Sequence, residues 1–412
     1  MYYFFTTKSH IQYAINFKMI FWGILPLFIC CQCQTSKNLN SNKNDNNLKY
    51  QQWSGAADSC TYILIDQFLD KEKGIFGAGV GGALPNRTKY LYWQQAHIMD
   101  VIVYSYSRIK DLNKSKTIEY ENYFKLWMQN HANNWYNWKS HGDTTGFFNE
   151  MVDDMAWITL TMLHISEATG DSSYYTMAKN IYDNLIIPQA NKDEKGWAFP
   201  WKIMGKDNGR YICTNAPICV TACKLYMKTG NKLYLNNAIS LYNFIVNNLL
   251  MADGRLEEPP LTYTQGTFAE AARLLYHITG KKGYLEKAIQ AIKYTITSER
   301  CVDRGLLRHE GDDDDQGIFK AVFIPYAVNL AIDKSVPRNT REEIKAFLLF
   351  NAETLWYKHM NRGDWPKMYV GFYWGETYSV ENDKNKTAYV CAQASGASLL
   401  ENVARMLIGT EE

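Results

Sequence analysis

The chain has 412 residues, 44 basic and 42 acidic side chains, and a formal charge of +2. That balance offers neither the basic face that nucleic-acid binding requires nor an acidic tail. Cys60, Cys213, Cys219, Cys223, Cys301 and Cys391 contain no CxxC pair and no zinc-ligand spacing, so they read as buried free thiols rather than a disulfide or metal framework.

In chain order, the first feature is an apolar block from Met19 to Cys31, too short to span a bilayer and suited to a secretory core. Lys8 and Lys18 flank it, and Met19 is itself a candidate start. Gln, Thr, Ser, Lys and Asn then dominate up to Tyr50, the composition of a flexible, solvated tether. An apolar block ending in cysteine before such a tether resembles a bacterial lipoprotein signal, with Cys30, Cys31 or Cys33 as the acylated residue. The usual small residues before the cysteine are missing. This reading divides the chain into an export segment (1–33), a tether (34–50) and a folded domain (51–412). It predicts an exported monomer held at the cell envelope only by a lipid.

Helical periodicity follows over Leu91–Lys110 and Ile118–Asn130. Asp153 and Asp154 then stand at the start of another helix, with apolar residues recurring through Ala156, Leu160, Leu163, Ile165 and Ala168. Three segments share one pattern: a helix stopped by Thr-Gly, a polar turn with a tyrosine four residues after the glycine, and a returning helix. The glycines are Gly170, Gly230 and Gly280, and the tyrosines Tyr174, Tyr234 and Tyr284. Glycine supplies the left-handed helix cap, and the tyrosine is expected to pack back across the turn. Further helices read over Phe319–Ile332, Arg341–Tyr357 and Ala392–Leu407, with no convincing set of strands. About six hairpins over 51–412 predict an all-α (α/α)6 toroid, whose closure removes the bare end faces of an open helical repeat. An open scaffold is the alternative.

Glycoside cleavage needs two carboxyl groups held close together. Asp153 and Asp154 provide such a pair, although two acids in a first turn also serve simply to stabilise a helix start. The wider pattern favours chemistry. Tyr92-Trp93-Gln94-Gln95-Ala96-His97-Ile98-Met99-Asp100, Asp153-Asp154-Met155-Ala156-Trp157, Gly196-Trp197, Thr214-Asn215-Ala216-Pro217, Tyr263-Thr264-Gln265-Gly266-Thr267 and Asp315-Gln316-Gly317-Ile318-Phe319-Lys320 occur in this order. With them the chain resembles glycoside hydrolase family 76, the bacterial and fungal α-1,6-mannanases, across nearly all of 51–412. The resemblance implies an (α/α)6 barrel, retaining cleavage of α-1,6-linked mannose, Asp153 as nucleophile and Asp154 as general acid/base. It implies an endo-acting enzyme on mannan without metal or organic cofactor. A transglycosylase or another α-mannoside hydrolase on this fold is one alternative; a non-catalytic mannan-binding lipoprotein is another.

Physical chemistry agrees with the assignment. Both acids can lean toward the open end of the helix, at a separation suited to retaining rather than inverting action. Two carboxyls so near cannot both ionise easily, so one is expected to stay protonated. Trp93, Trp157, Trp197 and Tyr263 are candidate faces for sugar rings, or else core and turn aromatics. Asn215, Gln265, Asp315 and Gln316 are candidate ligands of mannose hydroxyls, or else helix caps. Arg308 and Lys320 are expected to hold a neighbouring carboxylate.

Other motifs fail their templates. Counted from Asp312, the twelfth position of an EF-hand falls on Phe323, so Asp312–Asp315 reads as an acidic loop whose last member enters the funnel. Gly77-Ala78-Gly79-Val80-Gly81-Gly82 lacks the strand–helix frame and lysine of a phosphate loop. No HExxH is present, and neither Ser395 nor Ser398 sits in a nucleophile elbow. His97, His164 and His277 read as packed helix residues.

Overall fold

The computed structural model describes residues 31–134, 146–204, 209–257 and 259–408. Most of the export segment and the polar stretch 139–145 lie outside these residues. Two compact units divide the chain, 1–45 and 46–412. In the first, the described backbone is helical from Cys31. Helix α1 (Cys31–Phe68) thus covers the stretch 34–50 expected as a flexible tether. No glycine or proline interrupts Gln32–Ser54, so nothing in the backbone chemistry stops a helix there.

The second unit is the (α/α)6 toroid. Its inner helices are α3 (Tyr92–Ile109), α5 (Val152–Thr169), α7 (Ile212–Thr229), α9 (Thr262–Thr279), α11 (Asp314–Ile332) and α13 (Val390–Ile408). Outer helices are the part of α1 from Asn46 on, α4 (Lys114–Asn134), α6 (Ser172–Ile181), α8 (Lys232–Asn248), α10 (Lys282–Thr297) and α12 (Arg338–Glu353), and a single turn, α2 (Pro85–Thr88), precedes α3. Each inner helix packs on the next, and α13 packs on α3, so the ring closes. Burial records the two layers. Every residue of α5 from Val152 to Leu163 is buried. Helix α10 buries only one face, through Tyr284, Leu285, Ala288, Ala291, Ile292, Thr295 and Ile296, the spacing of an amphipathic helix. Where α9 meets α11 a side chain has no room, since a Cβ on Gly266 would lie 3.0 Å from Phe323 Cα.

The Thr-Gly stops form as expected. Gly170, Gly230 and Gly280 take φ of 79°, 67° and 72°. The preceding Thr169, Thr229 and Thr279 hydroxyls each donate to the carbonyl four residues back and accept an N–H just past the glycine. Two of the tyrosines differ from expectation. Tyr234 sets its ring edge-on to Tyr182 and donates to Asp183, while Tyr284 sits edge-on to Tyr242, 4.6 Å away. They link neighbouring outer-layer elements instead of folding back over their own turns, because the ring reaches farther than the tight turn it follows.

Three short antiparallel hairpins join outer helices to the next inner helix: β1–β2 (Leu69–Asp70, Ile75–Phe76), β3–β4 (Asn191–Asp193, Gly196–Ala198) and β5–β6 (Val302–Asp303, Leu306–Leu307). Two or three residues per strand are too few for an alternating pattern. A buried amide pins each hairpin through its backbone. Gln95 accepts from Phe76 N and donates to Phe76 O, Asn215 does the same to Phe199, and Asn351 accepts from Leu307 N and donates to Gly305 O. Gln265 holds the Gly254–Leu256 loop and Gln393 holds Val370 in the same manner.

Candidate active site

Asp153 and Asp154 occupy the first turn of α5. Val152 N donates to Trp201 O and Met151 bridges Lys202, which draws the 199–204 loop over the helix start. Asp153 Oδ2 accepts the Trp201 indole N–H at 3.1 Å, and its Oδ1 is buried without a hydrogen-bond partner. Asp154 Oδ2 accepts from Asn149 Nδ2 at 2.8 Å, while Asn149 Oδ1 is held by Met151 N. The two residues are 8% and 9% exposed, and among the described residues neither has a cation beside it in an ion pair.

Burial therefore governs the pair. It pushes the Asp153 carboxyl up to about 7, with the Trp201 N–H and the first-turn backbone N–H groups pulling down. Asp154 is driven well above the usual range by burial first, then by the charges of Asp153 and Asp315. Asp154 is thereby held toward its protonated form more strongly than Asp153.

Asp315, in the first turn of α11, is the third acid of this mouth. It accepts from Trp93 Nε1 at 2.8 Å and from Gln94 Nε2, and burial raises its pKa. The inner helices supply an aromatic cup around it. Trp93 lies 6.0 to 6.2 Å from Trp157, Tyr263 and Phe319, and Tyr263 stacks on Phe319 at 4.2 Å. Trp93 and Tyr263 are half-buried and present surface; Trp157 is fully covered and forms the floor. His97 packs edge-on to Trp157 at 4.8 Å and, with His164, faces Asp100, so both histidines are structural.

Several sequence candidates do other work. Asn215 and Gln265 spend their amides on backbone groups and are fully buried, leaving nothing to offer a hydroxyl. Gln316 completes a capping box with Asp313. Trp197 packs edge-on against Phe199 in its hairpin. The acidic run is divided: Asp312 pairs with His309, Asp313 caps α11, Asp314 pairs with Arg87, and only Asp315 joins the mouth. Lys320 does stand beside a carboxylate, Glu310, but its ammonium donates to Phe372 O, and burial lowers its pKa to about 8. Arg308 donates to Pro260 O.

Besides Asn149, three contributors were not among the sequence candidates. Trp201 is the donor to Asp153; a second tryptophan close behind Trp197 was the available signal. The Cys213 thiol lies against Asp153 and is pushed well up by burial and then by that neighbour. Glu257 accepts from the Thr264 hydroxyl and is raised to about 7 by burial. No sequence pattern marked the last two.

The profile of glycosyl hydrolase family 76 matches residues 52–407. Among solved structures, the α-1,6-mannanase GH76A of Salegentibacter sp. HEL1_6 is similar over 86% of this chain and 99% of its own, with 24% identity and a TM-score of 0.73. The Lin0763 protein of Listeria innocua matches at 23% identity, 87% and 99% coverage and TM-score 0.73. Dfg5 of Chaetomium thermophilum, solved with glucosamine, matches at 13% identity, 88% and 92% coverage and TM-score 0.62. No match was found among curated protein sequences. A ring of paired helices with two buried, cation-free aspartates at one mouth, matched by the family profile from end to end of the ring, leads to one conclusion: the chain belongs to glycosyl hydrolase family 76.

Proposed function

We propose that this glycoside hydrolase cleaves α-1,6-mannosidic bonds within a mannan backbone, with retention of configuration. The observation that carries the reading is the buried aspartate pair whose environments separate its two protonation steps. Supporting it, the Salegentibacter protein has been captured with α-1,6-mannotetrose after two adjacent aspartates were replaced. Asp153, as carboxylate, attacks the anomeric carbon while Asp154 donates its proton to the departing glycosidic oxygen. Asp154, now a base, takes a proton from water, which displaces Asp153 and frees the product. Trp93 and Tyr263 flank the sugar, and Asp315 accepts a hydroxyl from it. Export and a lipid anchor belong to this proposal, since they would bring the enzyme to a polymer too large to enter a cell.

The test is incubation of the enzyme with unbranched α-1,6-mannan, with product sizes and the anomer first released followed by NMR. A ladder of oligosaccharides with the α-anomer first is expected. Mannose alone would replace endo by exo action, and initial release of the β-anomer would overturn retention. Preferred transfer to an added sugar acceptor over water would favour a transglycosylase.

A further inference from the structure

The glycine-rich stretch that resembles a phosphate loop is unused by the chemistry above, and it lines a groove of about 620 Å³ on the outside of the ring. Asp66, Gln67, Lys73, Gly81, Gly82 and Lys89 are among the residues that line it. Gly81 and Gly82 take φ of 62° and 79°, and no atom lies within 4 Å of where a Cβ would stand, so bare backbone faces open space. One helical turn before Asp66, on the same face of α1, Tyr62 stacks with Trp365. Their rings are 5.1 Å apart and 25° from parallel, and the residues are 41% and 52% exposed. Two large aromatics stacked in the open, with neither ring in the core, form a flat platform.

The lining chemistry selects the occupant. Lys73 is neutralised by Asp70 at 2.9 Å, and Asp66 and Lys89 carry opposite signs, so the groove attracts neither anions nor cations. Its polar groups are the carboxylates of Asp66 and Asp70, the ammoniums of Lys73 and Lys89, the Gln67 amide, which already donates to Asp66 and accepts from Tyr369, and exposed backbone. A neutral ligand with an apolar face and many hydroxyls fits: a chain of pyranose rings, whose C–H faces lie on aromatic rings. Position points the same way. In α2, Pro85 and Thr88 line the groove, while Arg87 reaches across to Asp314 at 2.6 Å, the neighbour of Asp315. One short helix thus separates the groove from the catalytic mouth.

We propose that this groove and the Tyr62–Trp365 platform form an auxiliary site that holds a distal stretch of the same neutral polysaccharide cleaved at the mouth. The inference rests on the polysaccharide-hydrolase reading above. Two attachments on one polymer raise its local concentration without any new contact at the reacting bond. The test compares the parent enzyme with Tyr62→Ala/Trp365→Ala on unbranched α-1,6-mannan and, separately, on α-1,6-mannotetraose. The ratio of polymer to tetraose kcat/KM should fall at least about fivefold, with the tetraose rate, itself a check of folding, unchanged. Trp365→Phe should restore part of the ratio. An unchanged ratio overturns the site. If the parent cleaves neither substrate, the mannanase reading is what fails. The groove is then judged by native-gel retardation in mannan, with retardation that the double substitution abolishes supporting it and none overturning it.

Discussion

Carboxylates packed into this ring occur in two settings, and the contrast shows what decides whether one holds its proton. Deep along the inner helices, Asp100 faces His97 and His164, Glu270 is clasped by Arg273, and Glu401 by Arg108. Burial alone would raise Asp100 and Glu270, but these partners outweigh it and hold both below the usual carboxylate range. At the helix starts that form the mouth, Asp153 and Asp154 are also buried and Asp315 stands on the more exposed rim, yet the three receive indole and amide N–H groups and, among the described residues, no cation in an ion pair. Their pKa values rise instead. The first set holds helices together; in the proposed mechanism the second keeps a proton available for transfer, at the expense of stability.

The sharpest way to break this contrast is to neutralise the mouth. Asp153→Asn or Asp154→Asn should lower mannan cleavage by about three to four orders of magnitude, in the range for loss of one member of a catalytic unit, while the circular dichroism spectrum stays unchanged. Cleavage persisting near the parent rate would move the chemistry elsewhere. The opposite outcome is expected in the deep set. Arg108→Ala leaves Glu401 buried without its cation and should cost about 3–5 kcal/mol in denaturant unfolding. Arg108→Ala/Glu401→Gln should recover much of that loss.

Two smaller effects sharpen the comparison. Cleavage needs Asp153 ionised and Asp154 protonated, so the acid limb of kcat/KM should fall near pH 7. Trp201→Phe removes the donor that stabilises the carboxylate and should move that limb upward by less than about one unit. A downward move would contradict the role given to Trp201. Stability should show the reverse sign from an ordinary salt-bridged acid. Because the folded pKa of Asp153 is raised, the folded state binds the extra proton. Its contribution is complete below the unfolded value of about 4 and is lost as pH rises through about 7. Asp153→Asn should therefore raise Tm relative to the parent more at pH 8 than at pH 5, as thermal unfolding at the two pH values will show.

Much of the ring was legible because its rules are local. Thr-Gly stops, apolar recurrence and the tyrosine mark the hairpins within a span of about twenty residues. The amides were not legible as clamps. Asn215 and Gln265 carry the same side chains whether they bind a sugar or a backbone hairpin. The hairpin at Phe199 has too few strand residues to announce itself, and the Gly254–Leu256 loop has none. Trp157 and Trp93 lie in equally aromatic contexts, yet only the closed ring decides that one is floor and the other surface.

What the sequence determined alone is what covalent neighbourhood controls: two acids adjacent at a helix start, six helix pairs, and an order of motifs that identifies the family. Tertiary structure decided which acids stay unpaired. Asp153 meets an indole 48 residues away, and Asp315 enters from another helix to raise Asp154. A carboxyl's proton affinity depends on burial and on charges within a few ångströms, whichever part of the chain supplies them. Those distances exist only once the ring has closed.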